Sequence, residues 1–415
     1  MNTDLQTLGV PEPLQHFPPT VAEVVARLDR LQPTTYARTR NALDGAVSGL
    51  SPYFTHGLVS LPQAAIRLSR HHRLGYDDKL VFEFGWRAFF HHVWRHAGDD
   101  GDAILQAMRP VTLWPGAYSD TVPADVREGR SGVPAIDSAV RVLYATGYLH
   151  NHARMWLASY LVHIRKVHWR AGADWLYGHL LDGDLPSNHL SWQWVAGQFS
   201  SKPYFFNAAN VVRYAPQVAW KAWASPKTVV DKTYEEIDAL ARFRGDHGAE
   251  PGQHAAVEEP LCTATPPAAL LSACVGAKAF AGTPLAGKTV ELVHPWALSE
   301  RRHAGVRLGV VHLPAHASWP WSERRWQFVL QRMADVCDAV FVGDIATLAT
   351  PLQGATVFAQ ATQFPGYRQV LPALTTDLRP APRLFAEPHL PCGSFSRFYD
   401  GAQREQPDFA RLLKT

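Results

Sequence analysis

Cysteine is scarce in this chain of 415 residues: four, at 262, 274, 337 and 392, with no Cys-x-x-Cys pair. That spacing argues against a zinc ribbon, a four-cysteine iron–sulfur cluster and a disulfide scaffold, and no metal site is expected. No stretch of about 18 uncharged apolar residues occurs, so no membrane-spanning helix is expected. Asp4 and Glu12 stand near the N-terminus without an apolar h-region, so no secretory leader is expected. Net charge is nearly absent, at +3. Before residue 244 there are 24 Lys+Arg against 22 Asp+Glu. A nucleic-acid partner would therefore need a local cationic patch. Together these absences predict a cytoplasmic protein in a reducing compartment.

Apolar residues are abundant at 47%, against 19% charged, enough for a large core and two or three domains. There are 14 tryptophans, 10 of them before residue 225. An indole wants burial and a partner for its N–H, so the excess signals a large helical core, stacking or electron-transfer duties.

Helical spacing of apolar residues predicts helices over 21–31, 61–69, 79–96, 135–146, 151–167 and 175–181, with Ser60 and Asp174 as caps. Residues 244–288 are rich in Gly, Pro and Ala and predict a linker. Short apolar runs at 290–294, 307–313, 339–342, 356–359 and 383–386, with a helix over 322–337, predict a small domain with a largely parallel sheet. The expected organisation is a helical domain over 1–243, a linker over 244–288 and an α/β domain over 289–415.

Four clusters carry chemistry. Ser48-Gly49-Leu50-Ser51-Pro52-Tyr53 precedes a helix, where hydroxyls and free N–H groups either cap the helix or hold phosphate. Glu83, Trp86 and Arg87 share one helix face, as an ion pair beside a core ring or as a receptor for a flat hydrogen-bonding ring. Asn151 and Met155 lie one turn apart and offer an amide and a thioether. Asp182-Gly183-Asp184-x-x-x-Asn188 puts polar groups on a loop, without the carboxylate ladder of a calcium site. If Asp182 is buried, Arg154 is its expected partner.

Taken together, residues 36–216 resemble the FAD-binding helical domain of the photolyase/cryptochrome family. The carrying motifs are Ser48-Gly49-Leu50-Ser51-Pro52-Tyr53, Glu83-x-x-Trp86-Arg87, Gly132-Val133-Pro134-x-x-Asp137, His150-Asn151-x-x-Arg154-Met155 and Asp182-Gly183-Asp184-x-x-x-Asn188-x-x-x-Trp192-x-Trp194. The fold implied is a mainly α-helical FAD-binding domain of photolyase type, plus a smaller C-terminal α/β domain.

The resemblance implies FAD as cofactor. Tyr36, Ser48, Leu50 and Ser51 would surround its phosphates and ribityl chain. Arg87, Asn151, Arg154, Asp182, Asp184 and Asn188 would line the flavin, with Asn188 facing N5. Many cryptochromes carry Asp or Cys at that position.

The resemblance also implies damaged DNA as partner, with a cyclobutane pyrimidine dimer flipped into a pocket of Glu83, Trp86, Asn151, Met155 and Trp194. Enzymes for (6-4) photoproducts have a second essential His near this pocket, and His152 stands one residue from that place. Glu83 and Asn188 would serve the repair chemistry directly. Trp192, Trp169 and, less regularly, Trp114 would form an electron-transfer chain, with Trp175 as a second option for its outer end. Lys202, Arg213 and Lys221 are expected phosphate contacts. A monomer is expected.

The helix-forming stretch from Trp321 and the strand at Ala339 weakly resemble the α/β domain that opens family members, which suggests a domain-order swap. No antenna-binding residue carries over, so a second chromophore is unknown. The expected activity is light-dependent repair of pyrimidine dimers, a carbon–carbon lyase reaction. The alternative is a cryptochrome-like blue-light sensor without repair.

Overall fold

The computed structural model describes residues 4–97, 102–109, 118–243, 245–252, 254–301 and 304–413. The chain forms two compact units, each built from separate stretches. One takes in Met1–Phe17, Gln32–Gly49 and Ala97–Pro260; the other takes in Pro18–Leu31, Leu50–His96 and Leu261–Thr415. The division after the helical region thus falls at 260/261.

The first unit is helical. Its main helices are α1 (Pro134–Thr146), α2 (Asn151–Ser159), α3 (Trp169–His179), α4 (Leu185–Val195), α5 (Ala208–Tyr214) and α6 (Trp220–Trp223). Their apolar stripes bury Leu143, Trp156, Leu157, Leu161, Trp169, Leu176 and Trp192 in one core. A buried side chain of this size contributes roughly 2–3 kcal/mol or more, which outweighs modest helix propensity.

Two predicted helices differ from expectation. The stretch after Ser159 widens into a π-helix over Tyr160–Ile164. The helix predicted from Trp175 starts at Trp169 instead. His168, not Asp174, caps it, through a ring nitrogen that accepts from Arg170 N–H. Asp174 sits within α3, where a 2.7 Å bond from Arg170 and a 2.8 Å contact with His189 give its carboxylate partners. Ser60 caps Leu61–Ser69 in the second unit as expected, in a reciprocal capping box with Gln63.

The described residues of the 244–288 stretch make backbone and side-chain hydrogen bonds to other parts of the chain. Residues before 260 run back along the helical unit. Val257 N–H donates to Glu128 O, Gly252 N–H to Arg130 O, and Arg141 donates to Ala255 O. Gly132, at φ +76°, allows this close run: a Cβ there would lie 2.7 Å from Glu250 O. Glu259 closes the strap, accepting from Arg127 at 2.6 Å, Trp175 Nε1 at 2.8 Å and His179 Nε2 at 3.2 Å. Further along, Cys262–Thr263 pairs with Trp321–Ser322, and Ala268–Cys274 is helical.

The second unit carries a parallel sheet: β1 (Thr289–Val293), β2 (Val306–His312), β3 (Ala339–Gly343), β4 (Thr356–Gln360) and β5 (Asp377–Arg379). The order is β3-β2-β1-β4-β5, all neighbours parallel, with Val290 opposite both Val306 and Val357. Nearly all of β2 is buried, as expected for a sheet covered on both faces. The helix after Ser322 runs over Glu323–Val336 and buries Trp326, Val329, Leu330 and Met333 at helical spacing.

The 383–386 run is not a strand. Leu384 and Phe385 are buried, and Phe385 packs on Tyr76 and Tyr399 instead of joining a ladder. The crevice past the carboxyl ends of β1 and β4 is where the strand order reverses, the place where open α/β sheets bind ligands. Here the chain's own side chains occupy it: Trp296 stacks on Phe364 at 4.0 Å, and His294 Nε2 bonds Gln360 O at 2.9 Å.

The strap makes the helical unit acid-sensitive. Burial opposes ionisation of Glu259, but the donors from His179, Arg127 and Trp175 outweigh it and hold its carboxyl at about 2. A depressed carboxyl stabilises the fold fully above its unfolded value near 4.5, and this contribution is lost as pH falls toward 2. Glu259→Gln should therefore lower the thermal midpoint at pH 7 and flatten its fall between pH 4.5 and 2. An unchanged acid profile in this variant would remove Glu259 from that role.

Candidate functional site

Chain geometry builds the polar part of the helical unit from α2, α4 and the loop before α4. Arg154 Nη2 donates to both Asp182 oxygens, at 2.9 and 2.7 Å, and its Nε donates to Leu149 O at 2.6 Å. Asp182 is buried and Arg154 is half-buried, so the pair is held in a dry setting with one edge toward solvent. Its guanidinium also lies 5.3 Å from the centre of the Tyr148 ring.

Asp184 is the N-cap of α4. Its carboxylate accepts from Ser187 N–H at 3.3 Å and from the Ser187 hydroxyl. One turn on, Asn188 is buried, and its Nδ2 donates to Ala173 O at 2.8 Å. That bond fixes the amide, because the reverse orientation would face two oxygens. Oδ1 is thereby left as the end that can accept from a ligand N–H.

Beside it, His189 Nε2 lies 2.8 Å from Asp174 Oδ1. Burial pushes the His189 ring downward from its usual range, against the pull of Asp174. Neither Asp174 nor His189 was singled out from the sequence as a site residue. Their i,i+15 separation has no local signature; only the Arg170–Asp174 spacing hinted that Asp174 lies inside a helix.

Trp192 and Trp169 are both 2% exposed. Trp192 lies on α3 at Gly172, where a Cβ would be 2.3 Å from its ring. Only glycine fits there, although alanine would otherwise gain about 1 kcal/mol in a helix. The Trp169 ring meets His189 edge-on at 6.3 Å. Trp175, half-buried, has its N–H on the Glu259 carboxylate. Trp114 lies outside the described residues.

Asn151 and Met155 lie together as expected: Asn151 Nδ2 is 3.5 Å from Met155 Sδ, and Asn151 is exposed. Trp194 is half-buried against Tyr204, at 5.9 Å. Tyr36 and Ser48 also belong to this unit and are half-buried.

The remaining expected residues lie in the second unit. Leu50 is buried, and Ser51 begins the helix Ser51–Thr55. Glu83, Trp86 and Arg87 share the helix Lys79–His96, and Arg87 Nη2 donates to Thr55 Oγ1 at 3.4 Å. One face of Trp86 is already covered: Phe395 stacks on it at 4.1 Å and 8°. Phe395 was not anticipated, because it stands far from Trp86 in the sequence, on the helix Phe395–Glu405. At most one face of Trp86 can receive a ligand.

Residues 80–222 match the family described as the FAD binding domain of DNA photolyase. This region is similar to the FAD-binding domain of the photolyase/cryptochrome family. A deoxyribodipyrimidine photo-lyase of Thermus thermophilus is 34% identical over 223 residues, 52% of this chain and 52% of the relative. The chloroplastic/mitochondrial cryptochrome DASH of Ostreococcus tauri is 31% identical over 219 residues, 50% of this chain and 38% of the relative. The crystal structure of the Synechocystis sp. PCC6803 cryptochrome aligns at 24% identity and TM-score 0.42, covering 53% of this chain and 50% of that one. The chain spans about half the length, or less, of these curated relatives.

FAD is the cofactor of this domain. The donor set fits it: a fixed amide with its oxygen free to accept, a carboxylate–guanidinium pair, and a second carboxylate at Asp184 on one helix turn with Asn188. Asp184 also has a capping duty, worth roughly 0.5–2 kcal/mol. Asp184→Ala should therefore lower both stability and FAD content. Asp184→Ser should restore the cap but not FAD, measured as FAD per polypeptide after denaturation. Full FAD occupancy in both variants would leave Asp184 as a cap alone.

Proposed function

We propose that the chain repairs cyclobutane pyrimidine dimers in DNA in a light-dependent reaction, as a deoxyribodipyrimidine photo-lyase. The observation that carries this reading is the fixed Asn188 amide, together with the Arg154–Asp182 pair, in a region similar to the FAD-binding domain of DNA photolyase. The photolyase names among its relatives support it. When bound, FAD in its reduced and excited form would supply an electron to the dimer and take it back once the cyclobutane ring has opened.

The protein's own groups bind and orient. In the helical unit, Tyr36 and Ser48 would serve the cofactor's phosphate side, and Asn151, Arg154, Asp182, Asp184 and Asn188 the flavin, with Asn188 Oδ1 accepting from a ring N–H and the Arg154–Asp182 pair supplying fixed charge. In the second unit, Leu50 and Ser51 would serve the phosphate side and Arg87 the flavin. For the flipped dimer, the helical unit would offer Asn151, Met155 and Trp194, and the second unit Trp86 for stacking and Glu83 for the imide edge. Trp192 and Trp169 are the buried electron relay, with Trp114 or Trp175 at its outer end. We further propose that residues 289–415, which carry the five-stranded parallel sheet, are a relocated α/β domain of the family's kind, with an unrelated small α/β domain as the alternative.

A cryptochrome-like sensor without repair is the second reading, supported by the cryptochrome DASH relative. Anaerobic illumination of the reduced protein with dimer-containing oligonucleotides separates the two. Repair restores thymine; a sensor leaves the dimer intact.

Within the repair reading, Glu83→Ala should keep FAD while lowering repair per absorbed photon, because the dimer's imide edge loses its partner. Repair efficiency equal to wild type would take Glu83 out of the pocket.

A further inference from the structure

The corner between α5 and α6 in the helical unit has a surface that the site described above does not use. Among the described residues, Trp220 is the one tryptophan classed as exposed. It is 47% exposed, with Val212 at 53% and Val218 at 88% nearby in sequence. Three residues on, Trp223 is buried, and its Nε1 donates to Leu8 O at 2.9 Å. Trp223 anchors the short helix, so Trp220 sits on a fixed ledge and not on a loose loop. Arg213 and Lys221 are both exposed and bracket Val218 and Trp220 in sequence. An acid also stands at this corner: Asp44 Oδ2 accepts from Gln217 N–H at 3.0 Å.

The ledge continues toward Asn151. The Tyr214 ring packs on His152 at 4.5 Å, and His152 follows Asn151 in α2. Arg213 lies 5.3 Å from the centre of the Tyr214 ring, and Tyr214 O accepts from Leu43 N–H at 2.8 Å. Burial and the charge of Arg40 push His152 down to about 4, so it is neutral near pH 7. The cations on this side are therefore Arg40, Arg213 and Lys221.

We propose that this corner is a nucleic-acid ledge: Trp220 stacks on an unpaired or unstacked base beside the lesion while Arg213 and Lys221 take the flanking phosphates. An exposed indole between cations is the chemistry that holds a strand without reading its sequence. Val212 and Val218 fit the apolar edge of an opened base step. Three exposed apolar side chains are too few for a stable protein interface, which buries roughly 1,200–2,000 Å². The proposal rests on the DNA reading above, which assigns Asn151 to the lesion pocket.

The test is fluorescence anisotropy of the full FAD-loaded protein with three labelled probes: an intact duplex, a duplex with one unpaired base, and a dimer-containing duplex. Trp220→Ala should weaken binding to the second and third probes by about 5- to 150-fold and change the intact duplex little. Trp220→Tyr should recover most of that loss. Lys221→Ala should weaken all three together and reduce the log–log salt slope by about 1. Wild-type affinity of Trp220→Ala for every probe, with wild-type protein binding the dimer probe, would overturn the ledge alone. Failure of the wild type to bind any probe would overturn the DNA reading and the ledge with it. Self-association that Trp220→Ala abolishes, with DNA binding unchanged, would reassign the patch to a second copy of the chain.

Discussion

The ion pair between Arg154 and Asp182 is the constraint on which the helical site depends. It ties α2 to the loop that starts α4, across 28 residues of sequence. Through that tie, Asn151 and Met155 on α2 keep a defined relation to Asp184 and Asn188 at the start of α4. A pair in this dry setting is weak evidence for stability, since desolvation offsets most of the Coulomb gain. Its value lies in direction: both Asp182 oxygens and two Arg154 nitrogens are committed, so neither side chain can turn away. Asn188 repeats the device on a smaller scale. One amide hydrogen bond to α3 settles which end of the side chain is available.

Packing reinforces those polar ties. Trp192 occupies the space that a missing Cβ leaves at Gly172, so α3 and α4 approach at a distance that only glycine allows. The strap closed by Glu259 then covers part of α3 through Trp175 and His179. In the second unit, the helix Lys79–His96 is held in the same manner. Phe395 stacks on Trp86, Tyr399 lies against Gly85, and Glu387 joins His92 and Arg95. In each unit, polar and aromatic side chains are oriented by neighbours distant in sequence.

Much of this was legible from periodicity. The helices Leu61–Ser69 and Lys79–His96 begin and end where their apolar stripes do, and four of the five expected strands lie within a residue of their places. Local patterns failed where distant partners decided the outcome. Asp174 has the composition of a cap, but Arg170 and His189 hold it inside a helix. Leu384 and Phe385 have the look of a strand, yet they are buried by rings from elsewhere. The stretch 244–288 has a linker's composition, but His247, Gly252, Val257 and Glu259 within it find partners far back in the helical unit. The Arg154–Asp182 pair was readable as complementary charges near two turns. The covering of Trp86 by Phe395 was not, because nothing local couples residues so far apart.

The proposed function stands on FAD binding by the helical unit. Purification followed by heat release of the flavin and its visible absorbance measures this directly. Close to one FAD per chain is expected, or recovery of that ratio on reconstitution. A colourless protein that takes up no FAD under any reconstitution would contradict it.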